Sequence, residues 1–350
     1  MTALSFGVKG ALVGSAALAI AACGPQGSNS QPATDSAAAD TGTYKVPRTS
    51  WGDPDLQGIW PGTAMVGVPM QRDEKLGLRN FLTEEEFTAR EAQFAKQAEQ
   101  DNADFDLEHA GETPGGDVGG PVSPPPHWLE RGKPQYQASL IVDPPNGRMP
   151  PLTDAATQRQ AALRKEREGR GPADSYTDRS LYDRCITRAL VGSLTPAIYN
   201  AGNEIVQSPG YVVIRNEMIH EARMVPLDGQ PRIGGEIKQW LGDSRGHWEG
   251  DTLVVETTNF TDRTNVGSAR HSEALKTTER YTRVDANTLD LKITIEDPQT
   301  WTGPWTLELP LLRDDGYGMY EYACHEGNLA MFNILSGARA DERATAAKAR

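Results

Sequence analysis

The stretch Thr288–Ile295 (TLDLKITI) decides the fold class, because aliphatic and polar residues alternate strictly along it. Successive side chains of a β-strand point to opposite faces, so this pattern predicts a strand with one buried and one polar face. The triplet Asp285-Ala286-Asn287 before it predicts a hairpin turn that follows a strand over 278–284. The stretch therefore indicates antiparallel β structure in this half of the chain.

Short apolar segments separated by turn residues recur from residue 200 onward. Further strands are predicted over 204–207, 211–215, 218–225, 246–248, 252–258, 304–311 and 319–324. The expected fold class is mainly β, a β-rich α+β protein with about eight or nine strands. A barrel-like or strongly curved antiparallel sheet is expected, because closure hides the edge strands.

An irregular region rich in proline and glycine precedes the strands. Thr83 and Glu86 match the S/T-x-x-E capping box, which predicts a helix that runs to Gln100. Thr153 is a predicted N-cap for a second, strongly polar helix that runs to Glu168. The predicted organisation is an irregular and helical region over 45–185 that packs on the sheet, an antiparallel β domain over 186–340, and a C-terminal tail over 341–350.

The composition excludes two functional classes. Of the 350 residues, 37% are hydrophobic, which is too few for a polytopic membrane protein but enough for a core. The formal net charge of -13 leaves no basic surplus to neutralise phosphates, so no nucleic-acid partner is expected.

The N-terminus predicts export from the cytoplasm. Lys9 precedes an uncharged apolar run over 11–20, which is shorter than the ~20 residues that span a bilayer. The small residues before Cys23 resemble the lipobox of bacterial lipoproteins, which predicts a signal peptide over 1–22, lipidation of Cys23 and a flexible tether over 23–44. We expect a lipid anchor on the periplasmic side of the envelope, in the outer membrane rather than the inner, as the sole membrane contact. The alternative is a plain secretory signal.

Two further cysteines remain, Cys185 and Cys324. Since an exported protein reaches an oxidising compartment, they predict a disulfide that closes a long loop. The alternatives are two separate buried thiols, which pack as small apolar side chains, or a catalytic thiol.

His220 is the first candidate catalytic residue. If 218–225 is a strand, His220 shares one face with Met218 and Met224, and Arg223 lies on the opposite face. A desolvated imidazole has a lowered pKa, which suits a general base. The alternative is a core histidine bonded to a backbone carbonyl.

Arg223 is a predicted polar anchor for a substrate. Glu221 lies two residues before it on the same face of the predicted strand. The alternative is therefore a surface ion pair between these two side chains, which would stabilise the protein little.

The second candidate cluster lies in Tyr320–Asn328 (YEYACHEGN). His325 and Glu326 predict a histidine oriented by a carboxylate, at a strand end that the disulfide braces. Tyr322 is predicted to donate to a developing oxyanion, and Asn328 to anchor the substrate. The alternative is a set of polar residues that cap the next segment.

Three further features contain aromatic or histidine side chains that could contact a ligand. Trp301 and Trp305 flank a turn and predict an aromatic wall for a flat ligand, or else packing at the end of the barrel. His247 lies in a tight hairpin and is expected to be solvated. The dipeptide His127-Trp128 is a candidate lid contact.

Standard metal and cofactor motifs are absent from the sequence. It contains no HExxH, no paired CxxC, no phosphate-binding loop and no G-x-G-x-x-G that opens a helix. A zinc site from His220, His325 and a carboxylate is chemically allowed but has no spacing to support it, so no metal and no cofactor are expected.

Four motifs together resemble a large family of exported bacterial proteins. They are WGDPDLQGIW over 51–60, MIHEAR over 218–223, GHWEGDTLVV over 246–255 and YEYACHEGN over 320–328. The resemblance covers nearly all of the chain beyond the tether. It implies an exported, β-rich protein and supplies no catalytic residues.

These observations predict a cell-envelope lipoprotein that is a cofactor-independent acid–base enzyme. It would be a lyase, isomerase or hydrolase for an apolar or aromatic small molecule, with His220 as base and His325, paired with Glu326, as acid. This hypothesis requires both imidazoles to face one partly dry cavity. The alternative is a non-catalytic lipoprotein that binds the same kind of ligand.

Overall fold

A computed structural model describes residues 44–101, 129–227, 229–326 and 328–349. The predicted signal peptide over 1–22, the lipidation site Cys23 and all but the last residue of the tether lie outside the described residues, as do His127 and Trp128. The described part confirms a sheet-rich α+β protein with antiparallel strands.

The hairpin predicted from TLDLKITI is present. Strand β10 (Lys276–Arg283) pairs antiparallel with β11 (Thr288–Glu296), and Tyr281 lies opposite Leu291. The four aliphatic residues of the alternating pattern, Leu289, Leu291, Ile293 and Ile295, are each 0% exposed. The alternation therefore identified both the strand and the face that enters the core.

This hairpin lies in the middle of a six-stranded antiparallel sheet. The outer members are β2 (Ile141–Asp143), β6 (Asp243–Glu249), β7 (Thr252–Thr258) and β12 (Trp305–Leu312), in the spatial order β2-β12-β11-β10-β7-β6. A second sheet has the order β1-β3-β4-β5 and consists of β1 (Gly58–Ile59), β3 (Asn203–Ser208), β4 (Tyr211–Asn216) and β5 (Ala222–Pro226). A two-stranded hairpin joins β8 (Asn265–Val266) to β9 (Ala269–Arg270).

The predicted barrel is wrong, because none of the sheets in the described residues closes on itself or curls strongly. The apolar faces are buried in another way, since both large sheets contribute to one hydrophobic core. Ile214 and Val225 of the four-stranded sheet belong to the same cluster as Leu253 and Ile293 of the six-stranded sheet. One edge of each sheet ends in a very short strand, β1 or β2, which limits edge-to-edge pairing without closure.

Four α-helices accompany the sheets in the described part of the chain: α1 (Glu84–Asp101), α2 (Asp154–Glu166), α3 (Leu190–Leu194) and α4 (Leu329–Lys348). The predicted capping box of α1 is confirmed, because Thr83 N donates to Glu86 Oε2 at 2.8 Å and Glu86 N donates to Thr83 Oγ1 at 3.3 Å. Thr153 caps α2 as predicted.

Helix α4 begins twelve residues before the tail predicted over 341–350 and has no buried residue. Residues Tyr44–Arg350 form one compact unit, and the region before 186 supplies β1 and β2 to the two large sheets.

Two predicted strands are wrong. Met218–His220 is a 3-10 turn in which Ile219 has a φ of 57° and His220 a φ of 45°, so β5 begins only at Ala222. These left-handed backbone angles break the extended conformation that the alternation rule assumes. Residues 319–324 contain no strand in the structure.

Candidate functional site

His220 does not face a barrel interior. Its Nδ1 lies 3.0 Å from the backbone carbonyl of Tyr322, and the side chain is exposed. In the strand that follows, Met224 is exposed and Val225 is buried, which is the reverse of the predicted orientation. The histidine therefore holds a neighbouring segment in place, as in the alternative of a carbonyl-bonded imidazole, although at the surface.

Tyr322 belongs to a tyrosine cluster with Tyr182 and Tyr199. The hydroxyl of Tyr182 lies 2.5 Å from that of Tyr199 and 2.8 Å from that of Tyr322. Burial raises the pKa of Tyr182, and the hydrogen bonds to the two neighbours raise it further. Burial also raises the pKa of Tyr322. These phenols therefore stay protonated at neutral pH and can act as donors.

The disulfide between Cys185 and Cys324 is present, with 5.7 Å between their Cα atoms. Asn328 donates its Nδ2 to Cys185 Sγ at 3.2 Å, so its amide braces the disulfide. His325 and Glu326 are exposed on the turn after the bridge. Among the described contacts, none joins the imidazole of His325 to that of His220 or to the Glu326 carboxylate.

Arg223 is not available to a substrate. It is 6% exposed and donates two hydrogen bonds to Glu279, at 2.8 Å and 2.7 Å. Tyr281 also donates to Glu279, at 2.6 Å, and burial raises the pKa of this phenol. The surface ion pair with Glu221 is wrong as well, because that carboxylate is buried. It accepts hydrogen bonds from the hydroxyls of Thr187 and Ser193.

The two tryptophans pack in the core rather than along a ligand wall. Trp301 is 2% exposed and Trp305 is 0% exposed, and their ring centroids are 5.5 Å apart in an edge-to-face arrangement. His247 is exposed on the β6–β7 hairpin, as predicted, with its Nε2 3.2 Å from Glu249.

A large cavity lies elsewhere, in a groove of about 1280 Å³ that we call the arginine groove. Its first wall comes from residues 163–199, and its second wall from residues 263–270 around the β8–β9 hairpin. The first wall carries Arg167, Arg170, Arg179, Arg184 and Arg188, and the second wall carries Arg263 and Arg270. Only two carboxylates line the groove, Glu166 and Asp178, so its formal charge is strongly positive in a chain whose net charge is -13.

Four of these arginines have protein partners. Arg170 binds Asp178 through two hydrogen bonds of 2.9 Å and 2.6 Å, and this hydrogen bonding holds the pKa of the carboxyl below its usual value. Arg167 donates to the backbone carbonyl of the same aspartate at 2.9 Å. Arg179 forms a salt bridge with Asp183 at 3.1 Å, and Arg270 donates to the carbonyl of Asp262 at 2.5 Å.

The guanidinium groups of the other three form no hydrogen bond and no salt bridge with a described residue. Within the described residues, no carboxylate forms a salt bridge with Arg184, Arg188 or Arg263. The guanidinium of Arg184 lies over the ring of Tyr176 at 5.1 Å, and that of Arg188 lies over the ring of Tyr182 at 5.7 Å. Stacking on a ring occupies the face of a guanidinium and leaves its N–H edge for an anion.

The tyrosine cluster adjoins the arginine groove. Tyr182 and Tyr199 line it, whereas His220, Tyr322 and His325 do not. Sequence reasoning followed the histidines and missed the groove. The detectable signal was the placing of Arg179, Arg184 and Arg188 within ten residues of an otherwise acidic chain, around Cys185.

Comparison with protein-family models, with curated proteins and with solved structures finds no match to this chain. Within the described ranges, no three His, Cys, Asp or Glu side chains are grouped so that they could hold a metal ion. The helices of the same ranges are too short or too polar to cross a bilayer. The functional assignment therefore rests on the geometry of the site.

Proposed function

We propose that this protein is a lipoprotein of the cell envelope that binds an anionic small molecule in the arginine groove. The observation that carries the proposal is that one groove holds three arginines, Arg184, Arg188 and Arg263, whose guanidinium groups form no hydrogen bond or salt bridge with the described residues. A guanidinium donates two parallel hydrogen bonds to a carboxylate or phosphate, which a neutral ligand cannot accept with the same strength.

The rest of the lining supports a ligand with an apolar or aromatic body. Leu163, Leu181, Val191 and Ile198 lie in the same groove as the arginines. Ligand sites typically combine such an apolar lining with a few polar groups that fix orientation. The proposed location in the envelope rests on the lipobox-like sequence that ends at Cys23.

The test compares two probes of equal shape and different charge on the full mature chain. Calorimetric titration should show that phenylacetate binds and that its neutral amide, phenylacetamide, binds much more weakly. The double variant Arg184→Gln/Arg188→Gln should lower phenylacetate affinity on the order of tenfold or more, because charge-assisted hydrogen bonds are lost. Arg343→Gln, an exposed change on α4 outside the groove, is the matched control. Equal binding of acid and amide would overturn the proposal.

A second candidate function is acid–base catalysis on the bound anion. It is favoured by Tyr182, which lines the groove and stays protonated because burial and its neighbours raise its pKa. In this reading Tyr182 donates its proton to the ketone oxygen of a bound keto acid while a water molecule removes a proton from the neighbouring carbon, and His220 positions Tyr322 through the backbone.

Proton transfer can be measured with phenylpyruvate, an aromatic anion with exchangeable protons at C3. An enzyme should accelerate deuterium exchange at C3, and Tyr182→Phe should lower this rate by about 10²–10⁴-fold without abolishing binding. The double variant His220→Ala/His325→Ala tests the hypothesis drawn from the sequence, in which both imidazoles are essential for proton transfer. Exchange at the buffer rate with wild-type protein would leave binding as the function.

A further inference from the structure

Two basic walls from different parts of the chain face the arginine groove. Arg184 and Arg188 belong to the first wall, and Arg263 belongs to the second, which is the short hairpin segment 263–270. Each wall therefore presents at least one guanidinium that no described carboxylate neutralises.

The second wall is an ordered element and not a loose loop. Arg270 Nε donates to the carbonyl of Asp262 at 2.5 Å, and Thr264 Oγ1 lies 2.5 Å from the buried His271. Gly267 makes the turn of this hairpin with a φ of 59°, which favours glycine. These contacts hold the backbone of the segment that contains Arg263, so its side chain is placed to bind a ligand in the groove.

Like charges on the two walls repel each other, and a single carboxylate carries too little charge to balance the guanidinium groups of Arg184, Arg188 and Arg263. A ligand with one anionic group at each end would neutralise both walls, and its charge-assisted hydrogen bonds would form at both ends. The lining of the groove also includes apolar side chains, which favour an apolar spacer: Leu163, Leu181, Val191, Pro196, Ile198 and Met218.

The size of the groove agrees with an extended ligand. Its volume of about 1280 Å³ exceeds the range of roughly 300–1,000 Å³ that is typical of pockets for single drug-sized molecules. A compact monoanion would leave much of this space to water.

We infer that the arginine groove takes a ligand with two anionic groups separated by an apolar spacer, one group on each wall. This inference rests on the anion-binding function proposed above and names the class of its ligand. The shared chemistry is two terminal anions, whether these are carboxylates or phosphates.

The test is calorimetric titration of the full mature chain with linear α,ω-dicarboxylates of increasing length, each beside the monocarboxylate of the same length. We expect affinity to rise to an optimum length, where the diacid binds about tenfold or more tightly than its matched monoacid. A parallel series of α,ω-alkane bisphosphates distinguishes phosphate from carboxylate as the preferred terminal group.

Variants separate the two walls. Arg263→Gln should weaken the optimal diacid on the order of tenfold or more and the matched monoacid much less, so that the ratio of their affinities falls toward one. Arg263→Lys, which keeps the charge, should retain part of the diacid's advantage. Arg343→Gln should change neither ligand. Equal affinity for diacid and monoacid at every length, or no effect of Arg263→Gln, would overturn this inference while anion binding stands. Failure of every anion to bind would overturn the proposed function itself.

Discussion

Arg223 shows how far the surroundings of one residue decide its role. From the sequence it was a candidate substrate anchor, with a surface ion pair to Glu221 as the alternative. The structure buries it against Glu279, which is 0% exposed, on a strand that lies more than fifty positions further along the chain. No local pattern in MIHEAR specifies this partner, because the pairing depends on how the two sheets meet.

Removing this arginine should strongly destabilise the fold. Arg223→Met leaves the Glu279 carboxylate buried without a counter-charge, which costs about 3–5 kcal/mol. The measurement is the midpoint of urea unfolding. Arg280→Gln, in an exposed ion pair with Glu249 one residue along β10, is the matched control and should leave the midpoint near wild type. A similar small shift for both variants would show that the buried pair contributes no more than the exposed one.

His271 predicts a specific pH dependence of stability. Burial lowers its pKa below the usual 6.5, and its Nδ1 lies 2.9 Å from the carbonyl of Ser272. The folded state therefore binds this proton less readily than the unfolded state. The free energy of unfolding should be at its full value above pH 6.5 and should fall as the pH drops below it.

The measurement is urea unfolding between pH 5 and 8 for wild type and His271→Gln. The variant should show a smaller slope in this window, because glutamine does not titrate. Burial raises the pKa of Asp297, but its hydrogen bonds with Thr300 and Ser272 outweigh burial and hold the pKa below the usual 3.8. This carboxyl therefore titrates only in more acidic solution. Identical slopes for the two proteins would contradict the assignment to His271.

At the scale of elements, the disulfide links the first wall of the groove to the segment before α4. Cys185 lies next to Arg184 and three residues before Arg188, and its partner Cys324 is 139 residues away. The bridge therefore holds the backbone that carries Arg184 and Arg188, two of the three groove arginines whose guanidinium groups form no hydrogen bond or salt bridge with the described residues.

Loss of the bridge should lower both stability and anion affinity. Cys185→Ser/Cys324→Ser should cost about 2–5 kcal/mol, because the unfolded chain regains the freedom of a long loop. Chemical denaturation of wild type with and without reductant gives the same comparison without mutation. Coincident curves for oxidised and reduced protein would contradict this role of the bridge.

At the scale of the whole molecule, the two large sheets share one core although they do not close into a barrel. Ile214 of the four-stranded sheet is 1% exposed and Ile293 of the six-stranded sheet is 0% exposed, and both belong to one hydrophobic cluster. Neither sheet can lose its packing without exposing the apolar face of the other.

The two sheets should therefore unfold together. Ile214→Ala and Ile293→Ala should each destabilise by about 2–5 kcal/mol and move a single transition. The measurement is calorimetry combined with hydrogen exchange of the β4 and β11 amides. Two separate transitions, or protection lost in one sheet only, would show that the sheets form independent units.

Local patterns in the sequence determined the elements whose cause is local. The alternation in TLDLKITI identified a strand and its buried face, and the residue types at Thr83, Glu86 and Thr153 identified two helix starts, because a cap needs only neighbours three residues away. The alternation rule failed over 218–225, because Ile219 and His220 adopt left-handed backbone angles and the strand begins only at Ala222.

The candidate site was decided by tertiary structure alone. Arg184 and Arg263 come from distant segments, and only the packing of the β8–β9 hairpin beside residues 163–199 brings them to one groove. The sequence could predict that the two cysteines would pair if the chain is exported, because an oxidising compartment joins thiols that folding brings together. It could not predict which arginines would remain without acidic partners, because that depends on the distance of every carboxylate in the folded chain.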